Sequence, residues 1–216
     1  MPHVPDLGVL LTASYRVERD GIAYHVEPCE LGPVVLPTGN VVACDPLVAH
    51  TTPFVDAVTP GRYQLRAWVA VLHKDGCEWQ RRITALQLVV VDEPAATWSM
   101  ALLPGQDVAT LDDEDFFGYA VDAGTGTLAD QLAIEALGKW DYERLDEVFI
   151  PAQVPDDPIE AVTAAVVEER TQANVYVVGS GWGDGVYATY VGRTVDGRIA
   201  SFVTDFRVVS SSSPSP

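Results

Sequence analysis

Hydrophobic and polar residues alternate along much of the chain, which is the pattern of half-buried β-strands. The clearest stretch begins at Gly61: in GRYQLRAWVAVLH, the mainly apolar residues at positions 63, 65, 67, 69 and 71 share one face. The next residues, KDGC, are typical of a hairpin turn, because glycine accepts the positive φ that tight turns require. EWQRRITALQLVVVD then supplies the returning strand. This region therefore predicts a long antiparallel hairpin.

Two earlier segments also predict hairpins. VLLTASYRVE and IAYHVEPCEL flank Asp20-Gly21, and PVVLPTGNVVACDPL turns at Thr38-Gly39-Asn40. Pro46 ends the second of these, since proline cannot donate to a ladder and restricts the residue before it. Further along, TWSMALL is compatible with a strand or a short helix, and GYAVDAG predicts a strand. The region NVYVVGSGWGDGVYATYVGRTVDGRIASFVTDFRVV predicts several more.

Between about residues 127 and 170 the spacing becomes helical. Thr127 with Asp130 three residues later forms an N-cap pattern, which predicts a helix to about Gly138. A second helical piece covers residues 140–148. DDPIEAVTAAVVEER predicts a third helix, with Asp157 as its cap and Pro158 at its first position.

These patterns predict the fold class α+β, predominantly antiparallel β, as a sandwich or open barrel with two or three helices inserted around 127–170. We expect residues 1–209 to form a single domain. The final segment, residues 210–216, contains only serine and proline and is predicted to be a disordered tail.

The two strand-rich halves contain similar features in the same order. The equivalent positions are Asp45 with Asp122, Gly61 and Tyr63 with Gly185 and Tyr187, and Arg82-Ile83 with Arg198-Ile199. Short β motifs also resemble one another by chance, because strands and turns use a restricted set of residues. A duplication would give two β units about a pseudo-twofold axis, with the two aspartate strands near that axis.

The charge of the chain narrows the classes of partner. There are 31 acidic and 13 basic residues, which gives a formal net charge of -18. Such a field repels phosphate backbones and anionic lipid headgroups, so we expect neither nucleic-acid nor membrane binding. A cationic partner or a metal ion is attracted instead, although a solvated acidic surface also explains the composition.

Cysteine usage and the N-terminal residues bear on location. Three cysteines without paired spacing predict neither a disulfide framework nor a zinc site. MPHVPDLGVLLTAS has no basic region before its short apolar run, so it does not resemble a signal peptide, and no segment reaches transmembrane length. We expect a cytoplasmic protein.

Five motifs in a fixed order carry a resemblance to a known family. LPTGNVVACDPL, PGRYQLR, YAVDAGTGTLAD, SGWGDGVYATYVG and VTDF together resemble the bacterial domain-of-unknown-function family 4241, over roughly residues 33–206. The resemblance implies a shared β-rich fold and no definite activity. Ala188 departs from the pattern, because proline is expected at that position.

Candidate chemistry is concentrated in five aspartates, which are Asp45, Asp122, Asp130, Asp184 and Asp205. Clustered carboxylates suit hard divalent cations, and neighbouring carboxylates can divide into an acid and a base. Asp122, Asp130 and Asp184 are therefore candidate metal ligands, and Asp122, Asp184 and Tyr187 are candidate catalytic residues. Asp45, Asp130 and Asp184 also have a structural explanation in a turn or a helix cap.

The stretch SGWGDG is the second candidate site. It does not match a phosphate-binding loop, because no Gly-Lys-Ser or Gly-Lys-Thr follows and the next residues resemble a strand. It is either a structural turn or the rim of a binding site that includes Trp182, Gly183 and Asp45. Asp205 is a further binding candidate, since a carboxylate on an apolar strand face needs a partner; its structural explanation is a salt bridge to an arginine.

Two functions remain open at this level. The first is a binding or partner-interaction protein whose acidic surface recognises a polar or cationic ligand or a protein. The second is an enzyme that uses the aspartates, with a divalent cation as its candidate cofactor, to hydrolyse a small polar substrate.

Overall fold

The computed structural model describes residues 5–48, 51–150 and 152–209. The helices are α1 (Leu7–Leu10), α2 (Gln131–Leu137) and α3 (Tyr142–Phe149), with a 3₁₀ turn at Val108–Thr110. The strands are β1 (Arg16–Arg19), β2 (Ile22–Leu36), β3 (Val41–Cys44), β4 (Gly61–Lys74), β5 (Cys77–Val89), β6 (Thr97–Met100), β7 (Tyr119–Val121), β8 (Thr125–Asp130), β9 (Thr163–Glu168), β10 (Ala173–Gly179), β11 (Gly185–Tyr187), β12 (Thr189–Arg193) and β13 (Ile199–Asp205).

The strands form three antiparallel sheets. The largest has the order β1-β2-β4-β5-β13-β12-β6 and curls into a half-barrel. A second sheet has the order β3-β8-β10-β9, and β11 pairs with β7 in a two-stranded ribbon. The predicted fold class is confirmed: the protein is α+β and predominantly antiparallel, with helices α2 and α3 inside the predicted insertion.

Three hairpins turn at a glycine with positive φ, and the turns of the first two are those predicted from the sequence. Asp20 and Gly21, between β1 and β2, both have positive φ, as do Asp75 and Gly76 between β4 and β5. The third hairpin joins β12 to β13 and has Gly197 at its turn. Turn chemistry acts over a few residues, which is why these hairpins are visible in the sequence.

The predicted hairpin at Thr38-Gly39-Asn40 is wrong. Strand β2 pairs with β1 and β4, whereas β3 pairs with β8 in the other sheet. Asp130, at the end of β8, accepts hydrogen bonds from the main-chain N–H groups of Thr38 and Gly39, at 3.0 and 3.1 Å. These bonds hold the segment between the strands as a crossing from one sheet to the other.

The helical region also needs two corrections. Asp130, not Thr127, is the N-cap of α2, and its carboxylate accepts from Leu132 N at 2.9 Å, while Thr127 lies within β8. The third predicted helix is absent, because its sequence TAAVVE forms β9 against β10. Asp157 does bond to Ile159 N, at 2.8 Å, but only a turn follows before β-branched residues continue as a strand.

Strands β5 and β13, which the sequence comparison aligned with each other, are neighbours at the centre of the large sheet. Strand β5 pairs with β13 so that Gln87 lies directly opposite Val203, and these are equivalent positions when Arg82 is aligned with Arg198. The pairing of β4 with β5 also has the same register as the pairing of β12 with β13. Leu65 pairs with Leu88, and the residues that correspond to them, Thr189 and Thr204, also pair.

Three groups of buried side chains fill the spaces between these layers. The largest lies inside the half-barrel and includes Leu65, Leu86, Phe202 and Phe206. A second covers the outer face of the same sheet, and a third packs α2 and α3 on the four-stranded sheet. In the described ranges, no helix has the length and apolar character needed to cross a membrane. The tail at 210–216 lies outside those ranges.

Candidate functional site

Asp45 follows β3 and is completely buried. One of its oxygens accepts from Asp122 N at 3.1 Å and Ala123 N at 2.7 Å, and the other accepts from Leu47 N at 3.1 Å and the Thr125 hydroxyl at 2.6 Å. A carboxylate with four donors is well satisfied without a ligand. Asp45 therefore ties the turn between β7 and β8 to the end of β3.

Asp122 and Asp184 lie close together in the pairing scheme. Val121 pairs with Gly185 at the end of the β7–β11 ribbon, and the two aspartates are the next residues on either strand. Both are exposed. This register places the two candidate residues side by side on the surface rather than in a hollow.

Asp130 lies elsewhere, at the start of α2, and is completely buried. Besides capping the helix, its two oxygens accept from the Thr38 hydroxyl at 2.9 Å. Its bonds to the segment before β3 and to the helix account for its burial without a metal. Among the described residues, no group of three or more His, Cys, Asp or Glu side chains is arranged to hold a metal ion.

The glycine-rich stretch forms a tight, internally bonded turn. Ser180 O accepts from Gly183 N at 3.0 Å, and Gly183 O accepts from the Ser180 hydroxyl at 2.9 Å and from the Tyr187 hydroxyl at 2.7 Å. Gly181 has a φ of +62°, and a Cβ there would lie 2.8 Å from Phe206 O. Tyr187 is buried beneath the turn, to which its hydroxyl is bonded. This burial raises the pKa of its phenol.

Trp182, in the same turn, faces solvent with 48% of its surface exposed. The guanidinium of Arg82 lies 5.4 Å from the centre of its ring, within the range of a cation–π contact. The turn thus has a structural role, and it also presents an aromatic side chain beside a cation.

Asp205 ends β13 and is buried at 2% exposure. Its carboxylate accepts from the main-chain N–H of Arg207 at 2.7 Å. The guanidinium of Arg207 lies 5.2 Å over the ring of Phe116. One partner of Asp205 is therefore a main-chain N–H, two residues further along the chain.

A pocket that the sequence did not indicate lies where the ribbon meets the large sheet. It has a volume of about 250 Å³, and β3, β7, the start of β12 and two loops form its walls. Its apolar lining consists of Ala43, Phe54, Ala101, Leu103, Phe117 and Ala120. Of the predicted site residues, only Tyr187 reaches it, and Asp45 follows its wall residue Ala43 by two positions.

The polar residues of the pocket wall are mostly engaged. The Thr189 hydroxyl shares a hydrogen bond of 2.8 Å with Thr204, and Gln106 accepts from Leu103 N at 2.8 Å. The Tyr119 hydroxyl is buried near Thr204, yet no hydrogen bond of normal geometry reaches it within the described residues. Burial, with Cys44 and Asp45 nearby, raises its pKa well above the ordinary value.

An acidic segment precedes one residue of the pocket wall in the sequence. Asp112, Asp113, Glu114 and Asp115 are exposed and immediately precede Phe116 and Phe117, the second of which lines the pocket. The sequence showed these charges, but the pocket beside them is built from segments that lie far apart along the chain. Only the three-dimensional arrangement brings those segments together.

One comparison with known proteins gave a match. The family model described as a protein of unknown function, DUF4241, matches residues 34–204. No curated protein and no solved structure matches the chain.

Proposed function

The chain belongs to the DUF4241 family, and we propose that it is a binding protein whose pocket takes a compact ligand with an apolar body and a positive charge. The observation that carries this proposal is the pocket of about 250 Å³ between β3, β7 and β12. Ligand sites in proteins are concave and mainly apolar, with a few polar groups that fix orientation.

The size of the pocket limits its occupant. Small-molecule sites commonly measure about 300–1,000 Å³, so this pocket suits a single ring or a short branched chain rather than a nucleotide. The same volume accepts one large side chain of a protein partner. Ala43, Ala101 and Ala120 keep the space open, because each contributes only a methyl group to the wall.

The charge of the surroundings favours a cation. The chain has a net charge of -18, and four consecutive acidic residues, 112–115, lead into the wall at Phe117. An apolar pocket beside concentrated negative charge attracts an organic amine more strongly than a neutral or anionic molecule of the same shape. The aromatic residues Phe54 and Phe117 add rings that a cation contacts favourably.

The positions of the aspartates support binding over hydrolysis. Asp45 and Asp130 are occupied by main-chain and hydroxyl donors, and Asp122 and Asp184 lie on the surface. A general acid or base needs to reach a bound substrate. None of these four residues lines the pocket.

We also propose that the two halves arose by duplication, and that the protein is cytoplasmic. The equivalent register of the two hairpins, with Gln87 opposite Val203, supports the first. Cys29, Cys44 and Cys77 are free thiols, which supports a reducing compartment.

The experiment is a thermal melting panel with benzylamine, benzyl alcohol and benzoate, which share a ring and differ in charge. A ligand that binds only the folded state raises Tm in proportion to the logarithm of its concentration. We expect benzylamine to raise Tm more than benzyl alcohol does, and benzoate to have no effect. Replacing the acidic residues at 112–115 by their amides should remove the preference for the amine.

A blocking variant identifies the site. Ala120 is exposed yet lines the pocket, so Ala120→Phe fills the space at little cost to folding. The matched control is Ala164→Phe, on an exposed position of β9. The proposal is supported if benzylamine no longer raises the Tm of Ala120→Phe but still raises that of Ala164→Phe. The proposal is contradicted if benzylamine raises the Tm of both variants equally. It is also contradicted if none of the three compounds raises the Tm of the unmodified protein.

A further inference from the structure

Strand β5 has an open edge over half of its length. Residues 85–89 pair with β13, whereas residues 77–83 pair with β4 on one side and, within the described residues, with no strand on the other. The reason lies at the end of β13. Phe206 N still donates to Thr84 O at 2.9 Å, and Arg207, with a φ of +57°, then turns the chain away from the sheet.

A groove lies along this edge. It has a volume of about 690 Å³, and it is bounded by Glu78–Arg82 on one side and by the segment 154–157 on the other. Trp79 is 52% exposed and Val154 is 75% exposed. Large apolar side chains at a concave, unpaired strand edge are typical of a surface that contacts another protein.

The cations in the groove differ in their partners. Arg81 pairs with Glu78 at 2.9 Å and with Asp157 at 3.6 Å. Arg82 instead donates to the neutral carboxamide of Gln80, at 2.8 and 3.1 Å, and lies over the ring of Trp182. The ion pairs of the described residues do not include Arg82. Its guanidinium is thus held in place and offers charge to a carboxylate from outside.

We propose that the edge of β5 from Glu78 to Ile83 binds an extended segment of a partner protein as an added strand, with one carboxylate of that segment meeting Arg82. Main-chain hydrogen bonds supply affinity in this mode, and alternate side chains supply specificity. Here Trp79 and Val154 receive the apolar side chains of the segment, and Arg82 receives the acidic one.

A second copy of the chain fits this edge poorly. Pairing of β5 with β5 of a second copy joins two molecules that each have a net charge of -18 and therefore repel each other. A partner strand with a carboxylate avoids this repulsion.

The test uses a display library of random nine-residue peptides, selected against the full-length protein. We expect selected peptides that alternate apolar residues with one Asp or Glu. Synthetic versions should bind Arg82→Gln at least about tenfold more weakly than the unmodified protein. Methylation of alternate peptide nitrogens should abolish binding, and bound peptide should slow amide exchange at residues 78–83.

The matched control is Arg198→Gln, which changes the equivalent arginine of the other hairpin, where Asp196 and Glu93 bind it. Its affinity for the peptides should be unchanged, and melting curves verify that both variants fold. Peptides that bind Arg82→Gln as well as the unmodified protein overturn the proposal, as does a selection that yields no peptide. Protection of residues 78–83 by concentration-dependent dimerisation also overturns it.

Discussion

Asp45 accepts a hydrogen bond of 2.7 Å from the main-chain N–H of Ala123, a residue 78 positions further along the chain. The same oxygen accepts from Asp122 N. The sequence comparison paired Asp45 with Asp122 as equivalent positions, and the structure places them in contact. The contact joins a side chain to a main chain, so it organises the turn between β7 and β8 rather than a pair of catalytic carboxylates.

Replacement of Asp45 by asparagine should destabilise the fold strongly. The variant keeps the shape but turns one acceptor of a buried side chain into a donor that faces other donors, which should cost about 3 kcal/mol of the free energy of unfolding. Urea denaturation measures the loss. Asp122→Asn is the control, because the Asp122 side chain is exposed and should change stability by no more than about 0.5 kcal/mol. Equal losses would contradict the assigned role of Asp45.

The two helix caps should differ in cost. Asp130→Ala removes the buried acceptor for Leu132 N, Thr38 and Gly39 N together, and we expect a loss of roughly 3 kcal/mol. Asp141→Ala removes only the exposed cap of α3, a bond of 2.9 Å to Arg144 N, and should cost about 1 kcal/mol. Chemical denaturation of both variants tests the order. A smaller loss for Asp130→Ala would show that the crossing segment does not depend on it.

Two glycines with the same φ allow the energetic cost of backbone strain to be measured separately from the cost of a steric collision. Gly21 and Gly39 both have a φ of +76°, but a Cβ at Gly21 meets nothing within 4 Å, whereas one at Gly39 collides with Val58 O. Gly21→Ala should therefore cost only the strain, about 1 kcal/mol. Gly39→Ala should cost at least about 3 kcal/mol. Thermal melting of the two variants measures the difference, and similar Tm values would refute the predicted collision.

Asp196 should titrate at unusually low pH. The Thr194 hydroxyl, and then Arg198, bind its ionised carboxylate and lower its pKa from 3.8 to about 2. The ionised form is favoured by folding, so this stabilisation is complete above about pH 4 and is lost as the pH falls towards 2. Carboxyl NMR shifts measure the midpoint. In Thr194→Val the midpoint should move towards 3.8, and an unchanged midpoint would exclude the hydroxyl as the main cause.

The sequence predicted those parts of the fold that depend on neighbouring residues. The turns at Asp20-Gly21 and Asp75-Gly76 need only the local tolerance of positive φ, and the strands beside them alternate visibly. The turn at Thr38-Gly39-Asn40 has similar local chemistry, but Asp130, which lies 91 positions from Gly39, redirects the chain there. A distant partner of this kind leaves no local pattern.

The errors in the helical region have a related cause. TAAVVE suits a helix by its alanines and a strand by its valines, and pairing with β10 decides between them. Of the candidate aspartates, Asp45 and Asp130 are fully buried. Their main-chain partners could not be predicted, and neither could the pocket, whose walls come from separate segments.

The pairing of strands from distant parts of the chain, which Asp45 helps to hold at the β7–β8 turn, also affects how the molecule reaches its native state. The large sheet is closed by β5 against β13, and the smaller sheet begins with β3 against β8, so both sheets need strands from each half of the chain. Such non-local pairings delay the rate-limiting step of folding, because the entropy of closing long loops is lost before the contacts form. During synthesis, the N-terminal strands must therefore wait, with their edges open, for their C-terminal partners.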